Sequence, residues 1–133
     1  MYTPIIGLEI HLQLKTKSKV FCSCSTSDAE TNTNVCPICL AYPGAMPNLN
    51  KEAVLQSIRM GLALDCKIAE ETNWDRKNYM YPDLFKGYQI SQLDQPICGE
   101  GELEVVIRDR KNFYSKDNYS KTIGIFRAHL EED

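Results

Sequence analysis

Four cysteines on one polar loop constrain this chain more than any other feature. The loop, residues 21–44 (FCSCSTSDAETNTNVCPICLAYPG), holds two close pairs, Cys22-x-Cys24 and Cys36-x-x-Cys39, separated by eleven residues. Two such pairs form the ligand set of a tetrahedral zinc ion, which closes a loop that has little core of its own. Four cysteine ligands leave no open position, so this zinc would be structural. Reduced thiols without a metal, or a redox pair, are the alternatives.

Composition excludes several classes of protein. A chain of 133 residues with 43% hydrophobic and 25% charged residues is sufficient for one globular domain. A net charge of −3 argues against a surface that is basic overall and binds nucleic acid. No apolar run approaches the ~20 residues that a bilayer requires, and residues 1–14 lack the pattern of a secretory signal. A reducing compartment is therefore expected, with Cys66 and Cys98 as buried small hydrophobic residues.

Hydrophobic periodicity predicts a strand before the cysteine loop and one helix after it. Over residues 5–14 (IIGLEIHLQL) apolar and polar residues alternate, and a strand would place Glu9 and His11 on its polar face. Residues 51–64 have apolar residues at helical spacing, and Asn50 is a suitable N-cap. The predicted apolar face of this helix consists of Val54, Leu55, Ile58 and Leu62.

The second half of the chain predicts strands and ordered loops. Residues 72–100 are rich in aromatic and turn residues, which indicates short strands, and residues 102–108 and 121–131 are each predicted as one strand. The last strand would carry His129 and Glu131 on its polar face. This order of elements is typical of an α+β fold with a mainly antiparallel sheet and few helices.

The polar faces of the first and last predicted strands carry the same residue types. Glu9 and His11 are two positions apart, as are His129 and Glu131, and the chain has only these two histidines. If the two strands were neighbours in one sheet, the four side chains would converge on a site for a hard cation such as Mg²⁺, which commonly brings phosphates with it. This adjacency is an assumption, and a solvated sheet face is the alternative.

Residues 75–92 (DRKNYMYPDLFKGYQISQ) combine cations with tyrosines. The cations could contact phosphate, and the rings could stack on a base or on an aminoacyl end. An aromatic loop packed over the sheet is the alternative. No P-loop and no G-x-G-x-x-G occurs, so neither common nucleotide-binding fold is indicated. The candidates are Arg76, Lys77, Lys86, Tyr79, Tyr81 and Tyr88.

Four stretches in this order resemble the N-terminal part of the B subunit of the tRNA-dependent aspartyl/glutamyl amidotransferase. They are IGLEIHLQLKTKSKVFCSCS, NTNVCPICLAYPGAMPNLN, DRKNYMYPDLFKGYQISQLDQPI and RAHLEED. The resemblance covers nearly the whole chain and is weakest across residues 102–121. It implies that residues 1–133 are the N-terminal part of a truncated cradle domain, similar in fold to glutamine synthetase. The zinc-binding loop lies within that domain, and the helical and tail domains that grip the tRNA are absent.

The resemblance also implies an activity. The family phosphorylates the side-chain carboxylate of misacylated Glu-tRNA(Gln) or Asp-tRNA(Asn) with ATP and Mg²⁺. Ammonia from the glutaminase A subunit then displaces the phosphate, in a heterotrimer with a C subunit. Such a ligase is expected in the bacterial cytoplasm or in an organelle. A zinc-stabilised binding module for protein or RNA, without catalysis, is the alternative function.

Site residues follow from the same resemblance. It implies that Glu9 and Glu131 hold Mg²⁺, that His11 coordinates the ion or positions the acyl carboxylate, and that Lys77 neutralises the transferred phosphoryl group. Glu131 and Glu132 match the family's acidic pair, and the predicted strand geometry favours Glu131. Some members of the family carry the zinc site and others lack it, which fits a structural role. The remaining implied positions are Tyr79 and Tyr81 beside the nucleotide, and Cys22, Cys24, Cys36 and Cys39 at the zinc.

Overall fold

A computed structural model describes residues 2–108 and 118–132 of the chain. These residues form one helix and two antiparallel two-stranded sheets, β1 with β2 and β3 with β4. The predicted α+β class with few helices and antiparallel strands is confirmed. The predicted connection over residues 109–121 lies mostly outside the described residues. The elements are α1 (Lys51–Ala63), β1 (Asp75–Asn78), β2 (Tyr88–Ser91), β3 (Gly101–Ile107) and β4 (Tyr119–Ile125).

The helix begins where the sequence predicts. The Asn50 side-chain oxygen accepts a hydrogen bond from the Glu52 N–H at 2.9 Å, which satisfies one of the free donors of the first turn. The Asn50 side-chain amide also donates to the backbone oxygens of Ser18 at 3.0 Å and Lys19 at 3.3 Å. One residue therefore caps α1 and ties it to the cysteine loop.

The predicted buried face of α1 is partly wrong. Val54 and Ile58 pack against the core, but Leu55 is 38% exposed and Leu62 is 64% exposed. The fully packed stripe consists of smaller residues. At Gly61 the helix lies so close to Cys98 and Ile68 that even an added Cβ would not fit. The buried residues are Ala53, Ser57 and Gly61.

Gly61 marks the closest approach, and its replacement by alanine is expected to destabilise the protein. An added Cβ would lie 2.4 Å from Cys98 Sγ and 2.8 Å from Ile68 Cδ1. Overpacking of this kind costs about 1–3 kcal/mol, against a helix-propensity gain of about 1 kcal/mol. Urea unfolding of Gly61→Ala checks the sign, with Leu62→Ala as the exposed control. A net gain in stability would contradict this expectation and show that helix propensity outweighs the steric cost of the added methyl group at this position.

The core lies where α1 meets three later segments of the chain. Cys98 forms two isolated antiparallel β-bridges, one with Ile68 and one with Ala128. The segments after α1, before β3 and after β4 therefore run side by side. The predicted burial of Cys66 and Cys98 is confirmed, at 7% and 0% exposure. The buried cluster consists of Ala53, Cys66, Ile97, Cys98 and Leu130.

The predicted strand over residues 5–14 is wrong, because this segment forms no strand. Its alternation is present, but a strand is held by ladder hydrogen bonds to a neighbour. No strand within the two described ranges pairs with it. Leu14 packs against the core, but the other apolar side chains consequently remain 66–94% exposed: Ile5, Ile6, Leu8, Ile10 and Leu12.

The last predicted strand, 121–131, has the wrong bounds. β4 ends at Ile125 because its ladder partner there, Gly101, is the first residue of β3. The chain then crosses to the other sheet, where the Glu132 N–H donates to the Ile90 oxygen at 3.2 Å. This crossing, rather than a continuous strand, places the end of the described chain beside β2.

Candidate functional site

The four loop cysteines converge on one point. Their Sγ atoms all lie within 4.8 Å of one another, with Cys22 buried and the others half-buried. Four sulfurs at about 2.3 Å from one zinc ion lie roughly 3.8 Å apart in a tetrahedron. The Cys36 and Cys39 sulfurs are already 3.9 Å apart. The donor set and its spacing therefore fit a metal ion such as zinc, and the predicted cluster is confirmed.

Backbone hydrogen bonds and one aromatic anchor shape the first half of this cluster. The Lys19 N–H donates to the Cys24 oxygen at 3.0 Å, which closes the turn around the first pair. Phe21 is buried edge-on against Trp74, with ring centroids 5.0 Å apart. The Asn48 N–H donates to the Phe21 oxygen at 2.8 Å. The loop is thus attached to the core at Phe21.

The second cysteine pair sits in a tight turn that alters thiol chemistry. The Leu40 N–H donates to the Cys36 oxygen at 3.0 Å, and the Cys36 N–H donates to Cys39 Sγ at 3.2 Å. A backbone hydrogen bond at Cys39 lowers the pKa of Cys36 to about 7. Desolvation by burial raises the pKa of Cys24 to about 12 and also raises the pKa of Cys22. Cys36 consequently forms a thiolate more readily than Cys22 and Cys24, from which a metal must displace protons.

The acidic pair near the end of the chain lies against β2. Glu131 Oε2 accepts a hydrogen bond from Ser91 Oγ at 2.9 Å and lies 3.3 Å from His129 Nε2. Glu132 Oε1 accepts from the Ile90 N–H at 2.8 Å and pairs with Lys86. Both carboxylate side chains are only 18% exposed. The structure therefore fixes both acids, each through different partners.

The hairpin of β1 and β2 carries the predicted cations and rings. Lys77 is exposed on β1, opposite Gln89 on β2. The Tyr79 and Tyr81 rings lie 4.9 Å apart at 32°, and they are 37% and 65% exposed. The rings contact each other instead of being buried over the sheet. Tyr88 is half-buried and lies under Arg76 at 4.4 Å.

Glu9 and His11 contact each other but not the acidic pair. Glu9 Oε1 lies 3.5 Å from His11 Nε2, and the side chains are 80% and 74% exposed. Within the described part of the chain, the four cysteines are the one group of three or more metal-ligating side chains. The shared sheet face assumed for Glu9, His11, His129 and Glu131 is not formed, because neither segment is a strand.

Sequence reasoning missed the residue that links the acidic pair to the core. Gln92 is 2% exposed, and its Oε1 accepts from the backbone N–H groups of Ile97 at 3.2 Å and Leu130 at 3.1 Å. Its Nε2 donates to the Asn73 oxygen at 3.1 Å. Gln92 lies within the polar segment 75–92, but no spacing in the sequence distinguishes it.

Among the helices of the described ranges, none is long and apolar enough to cross a membrane.

Comparison with known proteins identifies relatives along the whole chain. The GatB/GatE catalytic domain family matches residues 4–133. The chain is 56% identical over 134 residues to the B subunit of the aspartyl/glutamyl-tRNA(Asn/Gln) amidotransferase of Dehalococcoides mccartyi, covering 99% of this chain and 25% of the relative. The protein of the same name in Crocosphaera subtropica is 56% identical over 133 residues, with 99% and 26% coverage. The Halobacterium salinarum protein of that name is 53% identical, with 98% and 25% coverage.

This chain spans about a quarter of the length of these curated relatives. The match runs through the cysteine loop, the hairpin and the acidic pair alike, because it extends over residues 4–133. It confirms the resemblance carried by the four sequence stretches. The chain belongs to the GatB/GatE catalytic domain family.

Proposed function

We propose that this chain forms part of the site at which a tRNA-dependent amidotransferase phosphorylates the side-chain carboxylate of the amino acid on a misacylated tRNA. The observation that carries the proposal is the match to the GatB/GatE catalytic domain over residues 4–133, with 53–56% identity to the amidotransferase relatives. The structure adds a candidate working surface: a hairpin with exposed rings and an exposed lysine beside two fixed carboxylates.

The proposed reaction has two steps. A side-chain carboxylate oxygen of Glu-tRNA(Gln) or Asp-tRNA(Asn) attacks the γ-phosphorus of ATP, and ADP leaves. Ammonia then attacks the carbonyl carbon of the acyl phosphate, inorganic phosphate leaves, and the nitrogen loses a proton to give the amide. In phosphoryl transfer the protein contributes mainly positioning and charge stabilisation.

Lys77, Tyr79 and Tyr81 are the proposed nucleotide-side residues. The exposed ammonium of Lys77 would neutralise charge on the transferred phosphoryl group, as electrostatic stabilisation of the transition state requires. The exposed tyrosine rings, 4.9 Å apart, offer a stacking face. All three lie on β1 or on the loop that follows it, so one hairpin would present them together.

Glu9, His11 and Glu131 are the proposed Mg²⁺ ligands, with Glu132 beside them. Carboxylate oxygens fit the ion by chemistry, and the ion would neutralise phosphate charge when bound. In the described structure the Glu9–His11 pair and the Glu131 carboxylate stand apart. The proposal therefore requires residues 5–14 to lie beside the acidic pair in the complete site.

The remaining proposals concern context. We propose that residues 1–133 belong to a glutamine-synthetase-like cradle domain, with residues 21–44 as a structural zinc loop inside it. The proposed partners are a glutaminase A subunit, a C subunit and misacylated tRNA, in the cytoplasm. Two observations support this setting. Each relative is named as the B subunit of an amidotransferase. The cysteines of the described residues are free thiols, as is usual in a reducing compartment.

ATP hydrolysis by the complete amidotransferase carrying this sequence tests the proposal. Turnover is expected only with misacylated tRNA and Mg²⁺, because the attacking carboxylate belongs to the misattached amino acid. Correctly acylated tRNA and a reaction without tRNA are the matched controls. Equal turnover in all three reactions would contradict phosphorylation of the acyl group.

A zinc-stabilised binding module is the second candidate function. It is favoured by one observation: in the described structure the cysteines are gathered, whereas Glu9 and His11 are not brought to Glu131. This alternative predicts binding to protein or RNA that does not depend on Mg²⁺ or ATP, and a fold that is lost on chelation. Absence of tRNA-dependent turnover in a folded complex would favour it.

A further inference from the structure

Among the described residues, Lys86 is the least accessible cation for which the structure shows an ion pair. Its side chain is 7% exposed, and its Nζ pairs with Glu132 Oε1. The same ammonium lies 4.9 Å from the centre of the Tyr88 ring. By contrast, the Lys67–Glu100 pair is 84% and 74% exposed, with a distance of 3.9 Å. Lys86 is therefore enclosed by protein in a way that a surface lysine is not.

Glu132, the partner of Lys86, is fixed to β2 by both its backbone and its side chain. Its Oε1 accepts from the Ile90 N–H at 2.8 Å, and its own N–H donates to the Ile90 oxygen at 3.2 Å. The Gln89 side-chain amide donates to the Glu132 backbone oxygen. Lys86 joins this network from the hairpin loop, 46 residues earlier in the chain.

Glu131, the neighbouring acid, has its own arrangement. Its Oε2 accepts from Ser91 and lies next to His129, so its side-chain contacts differ from those of Glu132. Two adjacent carboxylates on one short segment repel each other, and a cation between the segment and the hairpin offsets that repulsion. A buried pair of this kind gains little net stability, but it can specify one geometry.

We infer that Lys86 is a positioning residue for the proposed phosphorylation site. Its ammonium holds Glu132 on β2 and thereby fixes Glu131 beside the hairpin that carries Lys77. Lys86 does not act as the free phosphate contact that the sequence suggested, because its charge is already paired within the fold. The inference rests on the proposed function in one respect: it takes Glu131 as a Mg²⁺ ligand of the phosphorylation site.

Steady-state kinetics of the complete amidotransferase separates positioning from direct contact. Lys86→Met is expected to lower kcat by about 10- to 100-fold, the usual cost of losing a group that orients a working ligand. The KM for ATP should change by less than about threefold, because no contact to ATP is lost. Lys86→Arg should restore most of kcat, since it keeps the charge. Lys67→Met, the exposed matched control, should leave both parameters unchanged.

A raised KM for ATP with unchanged kcat in Lys86→Met would overturn the inference, because it would indicate a direct contact to the nucleotide. Failure of Lys86→Arg to recover activity, in a variant that folds, would overturn it as well.

A double-mutant cycle on the thermal unfolding midpoint of the complete subunit that carries this sequence gives a readout that does not involve activity. Lys86→Met and Glu132→Gln are each expected to lower the midpoint, and the double variant should lower it no further than Lys86→Met alone. Additive losses would overturn the pairing. A wild-type enzyme without tRNA-dependent turnover would overturn the proposed function, and with it the role of Lys86 there, whatever the cycle shows. The two failures are therefore distinguishable.

Discussion

Replacing Cys36 and Cys39 together by serine is expected to abolish zinc binding and to unfold the loop that carries them. The wild-type chain should hold one zinc ion per chain, and the double variant should hold almost none, because two of the four clustered ligands are lost. Binding of a structural zinc is worth about 10–16 kcal/mol in isolated zinc-finger peptides, and it is coupled to folding. A loss of at least about 3 kcal/mol in unfolding free energy is therefore expected.

The loss should spread beyond the loop, because the loop holds the start of α1. The Asn50 N–H donates to the Val20 oxygen at 2.7 Å, and the Asn50 side chain donates to the Ser18 oxygen at 3.0 Å. The Asn48 N–H donates to the Phe21 oxygen at 2.8 Å. All three bonds join residues 18–21, at the start of the cysteine loop, to the residues just before α1, so we expect them to weaken when the loop unfolds. Circular dichroism of the variant should consequently show a loss of helix as well as of loop structure.

Metal analysis and thermal unfolding check this prediction. Cys66→Ala is the control for cysteine number, and it should keep one zinc per chain. Ser23→Ala, at an exposed position between two ligands, should keep both the zinc and the unfolding midpoint. Zinc affinity should rise with pH, because the pKa of Cys24 is raised to about 12 and its proton must be displaced. A reduced, metal-replete wild type with no zinc would contradict the four-thiolate site.

Features that depend on neighbouring residues could be predicted from the sequence. The Asn50 cap and the four-cysteine cluster follow from local spacing, and both are present in the structure. Alternation over residues 5–14 specifies which side chains share a face, but it does not specify a partner strand, so the predicted strand failed. The same limit applies after Ile125, where β4 ends because β3 begins at its partner.

Contacts between distant residues could not be predicted. Lys86 and Glu132 are separated by 46 positions, and Gln92 reaches Leu130 across 38. No spacing rule connects such pairs, because the crossing of the chain from one sheet to the other brings them together. The buried stripe of α1 was misassigned for a similar reason: the close approach of Cys98 selects Gly61, although hydrophobicity favours Leu62.

Glu9→Gln and Glu131→Gln are each expected to lower ATP-dependent amidation of misacylated tRNA by about 100-fold or more, if both serve the proposed site. The substitution keeps size and removes charge, so it tests the carboxylate itself. Glu9 is 80% exposed, and its replacement should not change the unfolding free energy. Glu104→Gln, on an exposed position of β3, is the matched control and should retain full activity.

The double variant Glu9→Gln/Glu131→Gln then tests whether the two segments meet in the working enzyme. Groups that act as one unit give non-additive losses, so the double variant should be about as impaired as the worse single variant. If the two losses of activity multiply in the double variant, Glu9 and Glu131 have independent roles. That result would agree with the described structure, in which the Glu9–His11 and His129–Glu131 pairs are separate. Full activity in both single variants would contradict the proposed site. The cycle therefore decides whether residues 5–14 lie beside the acidic pair in the working enzyme. Only in a shared site does the second substitution cause no further loss of activity.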